Sequence, residues 1–294
     1  MKIRDIFTTK YGEWRVYYSI GYGDWTPFKG IKGYWYADPT LIKRNGVIYL
    51  FTEAFQNNSQ IGRIAVSKLE NGAFSRPKIV IKKPYHLSYP CVFEYKDKVY
   101  MLPESSQNRT LELYCAEDEN LLEWRLVTII RENVNCVDTT VFIKESDVYL
   151  ITYFQRNGKY TTVVYRLNMD DFVLTEVFSK SENENISRPA GKVYENCGYF
   201  RPVQYNKNCY GEKMRILKFD PEKNDWMGEE YKQISVADLN IESIKRTHTL
   251  NLVDNVKVID GLIEYRTILT PYYVIKRKIH NLRFRIRNAR RKSR

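Results

Sequence analysis

No stretch of this 294-residue chain is apolar for long enough to serve as a secretory signal or a membrane-spanning helix, including the opening "MKIRDIFTTKYGEW". Five cysteines (Cys91, Cys115, Cys136, Cys197 and Cys209) are an odd number and show no CxxC spacing. That excludes a disulfide frame or a zinc knuckle and predicts reduced thiols. Together these absences predict a cytoplasmic protein. HExxH, nucleophile-elbow and EF-hand patterns are also missing, and "GYGDW" at 21–25 has neither the spacing nor the Lys-Ser/Thr of a phosphate loop. No metal and no organic cofactor is expected. Ala-, Leu- and Glu-rich amphipathic stretches are scarce before the C-terminus.

Aromatic residues, by contrast, are abundant. They form 14% of the chain, with 24 Tyr, and apolar residues form 43%, enough for a large core built from strands. The formal charge of +12 is uneven, because residues 276–294 hold ten Lys and Arg and no acid. The preceding 275 residues therefore carry 12 − 10 = +2. The high basicity belongs to a tail and says little about what the body binds.

The body repeats. "YADPTLIKRNGVIYLFTE", "LSYPCVFEYKDKVYMLPE", "CVDTTVFIKESDVYLITY" and "ISRPAGKVYENCGYFRPV" share one pattern, and "RTHTLNLVDNVKVIDGLIEYR" is a weaker fifth copy. The leading residues are Asp38, Tyr89, Asp138, Arg188 and His248, at intervals of 51, 49, 50 and 60. In the first four copies a tyrosine follows eleven residues later, at Tyr49, Tyr100, Tyr149 and Tyr199. A second aromatic series, Phe74, Trp124, Phe172 and Trp226, keeps nearly the same period. Short strands and polar turns repeating every 40 to 50 residues are the mark of propeller blades, whereas a β-sandwich does not repeat. The predicted fold is an all-β, five-bladed β-propeller with a short basic C-terminal helix or tail. The propeller covers 1–275, with N-terminal strands such as "EWRVYYSIG" closing the last blade, and the basic amphipathic tail covers 276–294.

In such a ring the innermost strands run along a central channel, so the residues that lead them gather at one mouth. That places Asp38, Tyr89, Asp138, Arg188 and His248 together although they are about fifty residues apart in sequence. The ends of the second strands add Glu53 and Glu104 in the first two copies, and Arg201 and Gln204 in the fourth, followed by Tyr210 and Glu212 in "NCYGEK". Carboxylates and arginines that grip hydroxyls or phosphate, with tyrosines for ring faces, suit a sugar or a phosphorylated sugar. Turn capping, ion pairing within the site and a satisfied core histidine are the structural alternatives for these residues.

"WYADPTL…YLFTEAF", "PYHLSYP…PESSQNR", "DTTVF" and "SRPAGKVY…FRPVQ…YGE" together resemble the N-terminal propeller of plant glucosamine inositolphosphorylceramide transferases and similar domains encoded in bacterial surface-polysaccharide clusters. The resemblance spans roughly residues 30–270. It implies kinship with five-bladed glycoside hydrolases, in which a first-blade Asp is base or nucleophile, a second acid tunes pKa and a Glu donates the proton. On that basis Asp38 in "ADP" matches the first-blade Asp, Glu104 and Asp138 take the other acidic places by blade position, and Tyr89 stands where some of those enzymes have an acid. In the plant enzyme the recognised transferase domain is a separate C-terminal one.

The expected function is therefore sugar transfer in the synthesis of a surface polysaccharide (capsule or O-antigen) or a glycolipid. Asp38, Glu104 and Asp138 would be catalytic, and Glu53, Tyr89, Arg188, Arg201, Gln204, Tyr210, Glu212 and His248 would bind substrate. The donor would be a nucleotide sugar and the acceptor a glycan or lipid-linked glycan. A non-catalytic propeller assisting a separate transferase, or a hydrolase-like enzyme, is the alternative. Ile275, Ile279, Leu282 and Ile286 recur at helical spacing among Lys and Arg, which predicts an amphipathic helix on an anionic membrane at the inner face of the cell. The alternation "LRFRIR" also fits an edge strand. No RNA- or DNA-reading motif is present, so nucleic acid is not an expected partner.

Overall fold

The computed structural model describes residues 10–266 and 270–292. Five antiparallel sheets follow one another around a ring. The first blade is built from Tyr34–Arg44, Val47–Gln56 and Ile61–Glu70, with Ala73–Phe74 and Lys78–Ile81 at its outer edge. The second uses Ser88–Tyr95, Lys98–Ser105, Thr110–Ala116 and Trp124–Glu132, and the third Val137–Lys144, Asp147–Arg156, Lys159–Leu167 and Leu174–Glu182. The fourth blade has a broken inner strand, Arg188–Pro189 and Tyr194–Glu195, then Tyr199–Tyr205, Lys213–Asp220 and Asp225–Ile234. The fifth places Leu250–Val253 innermost, then Val256–Tyr265, and takes its third strand from the N-terminal part of the chain. Tyr11–Ile20 pairs with Val256–Tyr265 from Tyr11↔Tyr265 to Ile20↔Val256. That pairing closes the ring and leaves no open edge between the first and last blades.

The tight hairpins follow from local sequence. Asn45-Gly46, Asn71-Gly72 and Asn157-Gly158 all have positive φ at both turn residues, the conformation that matches strand twist and that Asn-Gly adopts most easily. Packing then explains the two aromatic series. Five apolar clusters fill the five gaps between blades. Phe74, Trp124, Phe172 and Trp226 each pack into the gap before their own blade, and Tyr49, Tyr100 and Tyr149 into the gap after it. Tyr199 departs from its series and shares the gap between the third and fourth blades with Phe142 and Phe219. The fifty-residue period is thus the period at which a gap must be filled.

A single helix, Thr270–Lys292, follows the last strand, so the "LRFRIR" segment is helical and not an edge strand. Its first turns seat on the fifth blade. The Tyr273 and Tyr11 rings lie 5.1 Å apart, the Arg277 guanidinium sits 4.5 Å over Tyr11, and Val274 is buried.

Candidate functional site

The inner strands of the first three blades share one backbone distortion. Asp38, Tyr89 and Asp138 have φ of 50°, 42° and 47°, and each lies within a register shift in the pairing with the second strand. A bulky residue such as Tyr89 in the left-handed region costs roughly 1–3 kcal/mol and needs compensation. The compensation is a set of bonds running from blade to blade. The Asp38 N–H donates to Asp260 Oδ2, the Tyr89 N–H to Asp38 Oδ2, and the Asp138 N–H to Glu104 Oε2. The Tyr89 hydroxyl adds a 2.7 Å bond with Thr140.

Strand pairing also defines a second ring. Ala37, Ser88, Val137 and Arg188 lie opposite Glu53, Glu104, Tyr153 and Gln204, so these last four are equivalent positions. The predicted register is one residue out in the fourth copy. Arg188 is equivalent to Ala37, and the leading place belongs to Pro189, whose ring forbids a positive φ. His248 is displaced in the opposite sense, one residue past the leading place, because Arg246 pairs with Leu262 and Thr247 takes that place. Both side chains still reach the mouth, from neighbouring positions.

Two charged centres result. In the first, His248 Nε2 lies 3.0 Å from Asp38 Oδ1 and its Nδ1 2.9 Å from Asp260 Oδ1, with all three residues buried. Burial alone would lower the His248 pKa, but Asp260 and Asp38 outweigh it and raise it to about 10. Asp38 feels the converse. Burial raises its pKa, yet the bond and charge of His248 and the Tyr89 N–H bring it below the usual carboxylate value, so it is ionised. Asp38, His248 and Asp260 also place potential ligand atoms within 4.8 Å of one another, but here the imidazolium itself bridges the two carboxylates.

In the second centre, Arg188 clasps Asp138 through Nε and Nη2 and lies 3.5 Å from Glu104 Oε2. Gln204 Nε2 donates to Asp138 Oδ2 at 2.6 Å. Burial pushes the Asp138 carboxyl up, the guanidinium pulls it back and Glu104 raises it again, leaving it at about 7.

Glu53 lies beside the first centre and is shifted the other way. Burial, then the negative charge of Asp38, holds its pKa well above the usual value and favours the neutral acid. His86 lies against it. Its Nδ1 accepts the Gly62 N–H, which leaves the ring proton on Nε2, 3.4 Å from Glu53 Oε1. Burial lowers the His86 pKa to about 4, so the ring is neutral. Only glycine fits at residue 62, because a Cβ there would press on the Leu87 carbonyl, Glu53 Oε1 and His86 Cε1.

Beside these centres opens a cleft of about 530 Å³, within the usual range for ligand sites. Trp14, Trp35, Phe55, Gln60, His86 and Tyr210 line it, together with Arg246 and with Arg277 and His280 of the C-terminal helix. Trp35 stacks on Phe55 with ring centroids 4.3 Å apart, and Trp14 packs 4.1 Å from the His248 ring. Among the described residues, Trp35 Nε1 and Gln60 Oε1 are buried polar atoms with no hydrogen-bond partner. The acids lie one residue behind this wall. Glu53 is reached through His86, Asp38 through His248 and Trp14, and Asp138 through Arg188 and Tyr210.

The structure brings Asp38, Glu53, Glu104, Asp138, Arg188, Gln204, Tyr210 and His248 to one mouth. Three predicted residues are elsewhere. Tyr89 leads its strand, but its ring is buried in the core between the second and third blades with its hydroxyl on Thr140. Arg201 is buried within the fourth blade, where Nη2 bonds the Met227 carbonyl, because it lies three residues back along the strand from Gln204. Glu212 caps its own loop through the backbone and side chain of Asn208. Asp260, Trp14, Trp35, Phe55, Gln60 and His86 escaped the sequence reading. For Asp260 there was a signal, a lone acid inside the apolar strand "VKVIDGLIEY".

The family model described as glucosamine inositolphosphorylceramide transferase 1, N-terminal, matches residues 27–257. The chain belongs to this family. A relative from Oryza sativa subsp. indica, glucosamine inositolphosphorylceramide transferase 1, is 28% identical over 221 residues, covering 71% of this chain and 29% of the relative. Its Arabidopsis thaliana counterpart is 30% identical over 153 residues, covering 51% and 20%. The chain thus spans less than a third of the length of these relatives. Among solved structures, the α-L-arabinofuranosidase PaAbf62A of Podospora anserina superposes with a TM-score of 0.55 at 12% identity, covering 80% of this chain and 92% of that one. An exo-β-1,3-galactanase of Phanerochaete chrysosporium reaches 0.59 at 11% identity, covering 85% and 64%. At such identities the likeness establishes the fold.

The buried imidazolium gives this family member a testable pH signature. The His248 pKa is raised from 6.5 to about 10, so its contribution to stability is fully present below pH 6.5 and is lost as pH climbs toward 10. Denaturant midpoints of the native protein should fall across that window. A His248→Gln variant should start lower and stay nearly level there. Parallel curves would assign the pH dependence to another group.

Proposed function

We propose that this propeller is a sugar-transfer site, with Asp38 as the base and Glu53 as the acid. The observation that carries the reading is the pair itself: two buried carboxyls at a single mouth, Asp38 held below the usual carboxylate range and Glu53 above it, the arrangement that divides acid and base roles. The acceptor hydroxyl loses its proton to Asp38 as its oxygen bonds the anomeric carbon. The bond from that carbon to the leaving oxygen breaks, and Glu53 gives its proton to that oxygen. Sugar faces would lie on Trp14 and Trp35, with Arg188 near any phosphate.

The names of the plant relatives couple glucosamine with inositolphosphorylceramide, which supports an amino-sugar nucleotide as donor and a phosphate-bearing glycolipid as acceptor. Capsule or O-antigen synthesis at the cytoplasmic face of the membrane is the setting in which such an enzyme would work.

A second reading, a non-catalytic glycan-binding propeller, draws on the clasp of Asp138 by Arg188 and Gln204 and on the position of the acids behind the cleft wall. Transfer assays on purified protein with nucleotide sugars and glycolipid acceptors separate the two. Glu53→Gln should remove most of the transfer activity and abolish its fall as pH rises through the elevated Glu53 pKa. It should also stabilise the fold at neutral pH by about 1 kcal/mol, because a buried acid no longer resists ionisation. Sugars that bind the native protein with no turnover from any donor would establish the binding module instead.

A further inference from the structure

The C-terminal helix carries two faces that nothing in the catalytic reading uses. Tyr273, Val274 and Arg277 turn toward the fifth blade, and Arg277 Nη2 donates to the Gly12 carbonyl at 3.4 Å. On the opposite side Tyr272, Ile275, Ile279, Leu282 and Ile286 form a stripe at spacings of three and four, each between 43% and 59% exposed. Large apolar side chains in a row on a solvent-facing helix mark a docking surface. The charge of the segment identifies the partner, since ten Lys and Arg with no acid over residues 276–294 complement an anionic surface. The helix is not long and apolar enough to cross a bilayer, and its composition suits lying in the interface.

Its position gives the docking a direction. Each inner strand leads from the mouth, and each second strand returns to it. Tyr265, the end of Val256–Tyr265, therefore lies at the mouth face, and the helix begins five residues later. Arg277 and His280 accordingly form part of the wall of the 530 Å³ cleft.

We propose that this helix lies on an anionic lipid surface through its apolar stripe and seats the mouth of the cleft against the headgroups. The lipid layer then becomes the fourth side of the cleft. Resting on the sugar-transfer reading, the acceptor is a lipid-borne headgroup presented from the bilayer, with Arg277 and His280 at its point of entry.

Two native thiols report the orientation. Cys209 lies in the mouth-side loop between Tyr199–Tyr205 and Lys213–Asp220, and exposed Cys197 lies in the hairpin turn at the opposite end. The full chain would be labelled at Cys209 in a Cys197→Ser background, and at Cys197 in a Cys209→Ser background. Each would be mixed with phosphatidylserine–phosphatidylcholine vesicles carrying a lipid-borne quencher. The Cys209 label should be quenched and the Cys197 label should not.

Ile275→Ser/Ile279→Ser/Leu282→Ser should lose at least tenfold in vesicle binding while keeping the native melting profile, because these side chains are exposed. Binding should also weaken with added salt and vanish on phosphatidylcholine alone. Equal quenching of both labels overturns the orientation. Unchanged vesicle binding by the triple variant, or a stripe that serves only self-association or nucleic acid binding, overturns the membrane assignment. These readouts do not depend on turnover, so they remain decisive even if no sugar is transferred.

Discussion

Asp38→Asn should lower sugar transfer by about 10²–10⁴-fold, the range for losing a positioned general base. It should also destabilise the protein by about 3–5 kcal/mol, because it strips one of two counter-charges from the buried imidazolium of His248. Either effect alone would be ambiguous, since an unstable protein is also an inactive one. The combination Asp38→Asn/His248→Gln resolves this. With the buried cation gone, much of the lost stability should return while transfer stays absent. Initial rates measured beside denaturant midpoints give the answer. Recovery of activity along with stability would make Asp38 a structural partner of His248 and nothing more.

A comparably large effect on stability is expected at Gly191. Its φ of 150° already disfavours a side chain, and a Cβ there would overlap the Leu250 carbonyl oxygen. The same short segment joins four blades. Leu250 N–H donates to the Ala190 carbonyl, Thr140 Oγ1 to the Gly191 carbonyl, and Lys192 N–H to Asn251, whose amide reaches the Pro39 carbonyl. Gly191→Ala should cost at least about 3 kcal/mol, since neither backbone can give way without opening these joints. Gly72→Ala is the control. Its φ is also positive, at 78°, but nothing lies within 4 Å, so only the backbone term of about 1 kcal/mol applies. Similar costs in chemical denaturation would show that conformational strain, and not the meeting of the blades, decides the matter.

The architecture was legible because gap-filling aromatics must recur once per blade, and Phe74, Trp124, Phe172 and Trp226 do so at nearly fixed spacing. The gathering of Asp38 and Asp138 was legible for the same reason, since they hold equivalent places in their strands. Arg188 and His248 were misplaced by one residue because the leading place can be filled by a residue of different backbone habit, Pro189 or Thr247, without disturbing the period. Arg201 shows the limit of proximity in sequence. Three residues along a strand is about 10 Å, enough to move a side chain from the mouth to the interior of a blade. Of the aromatic cleft only Tyr210 was read. Trp14, Trp35 and His86 come from a closing strand, an inner strand and a connecting loop, which only the closed ring brings together.

The pairing of Tyr11–Ile20 with Val256–Tyr265 sets an order of events during synthesis. The earliest described strand must wait for Val256–Tyr265, so the fifth sheet can assemble only once the other four blades have been synthesised. Until then the nascent chain carries an unpaired border that chaperones would have to guard. The basic helix follows Val256–Tyr265 in the chain, so the segment with the greatest appetite for other surfaces is made only after every strand of the ring.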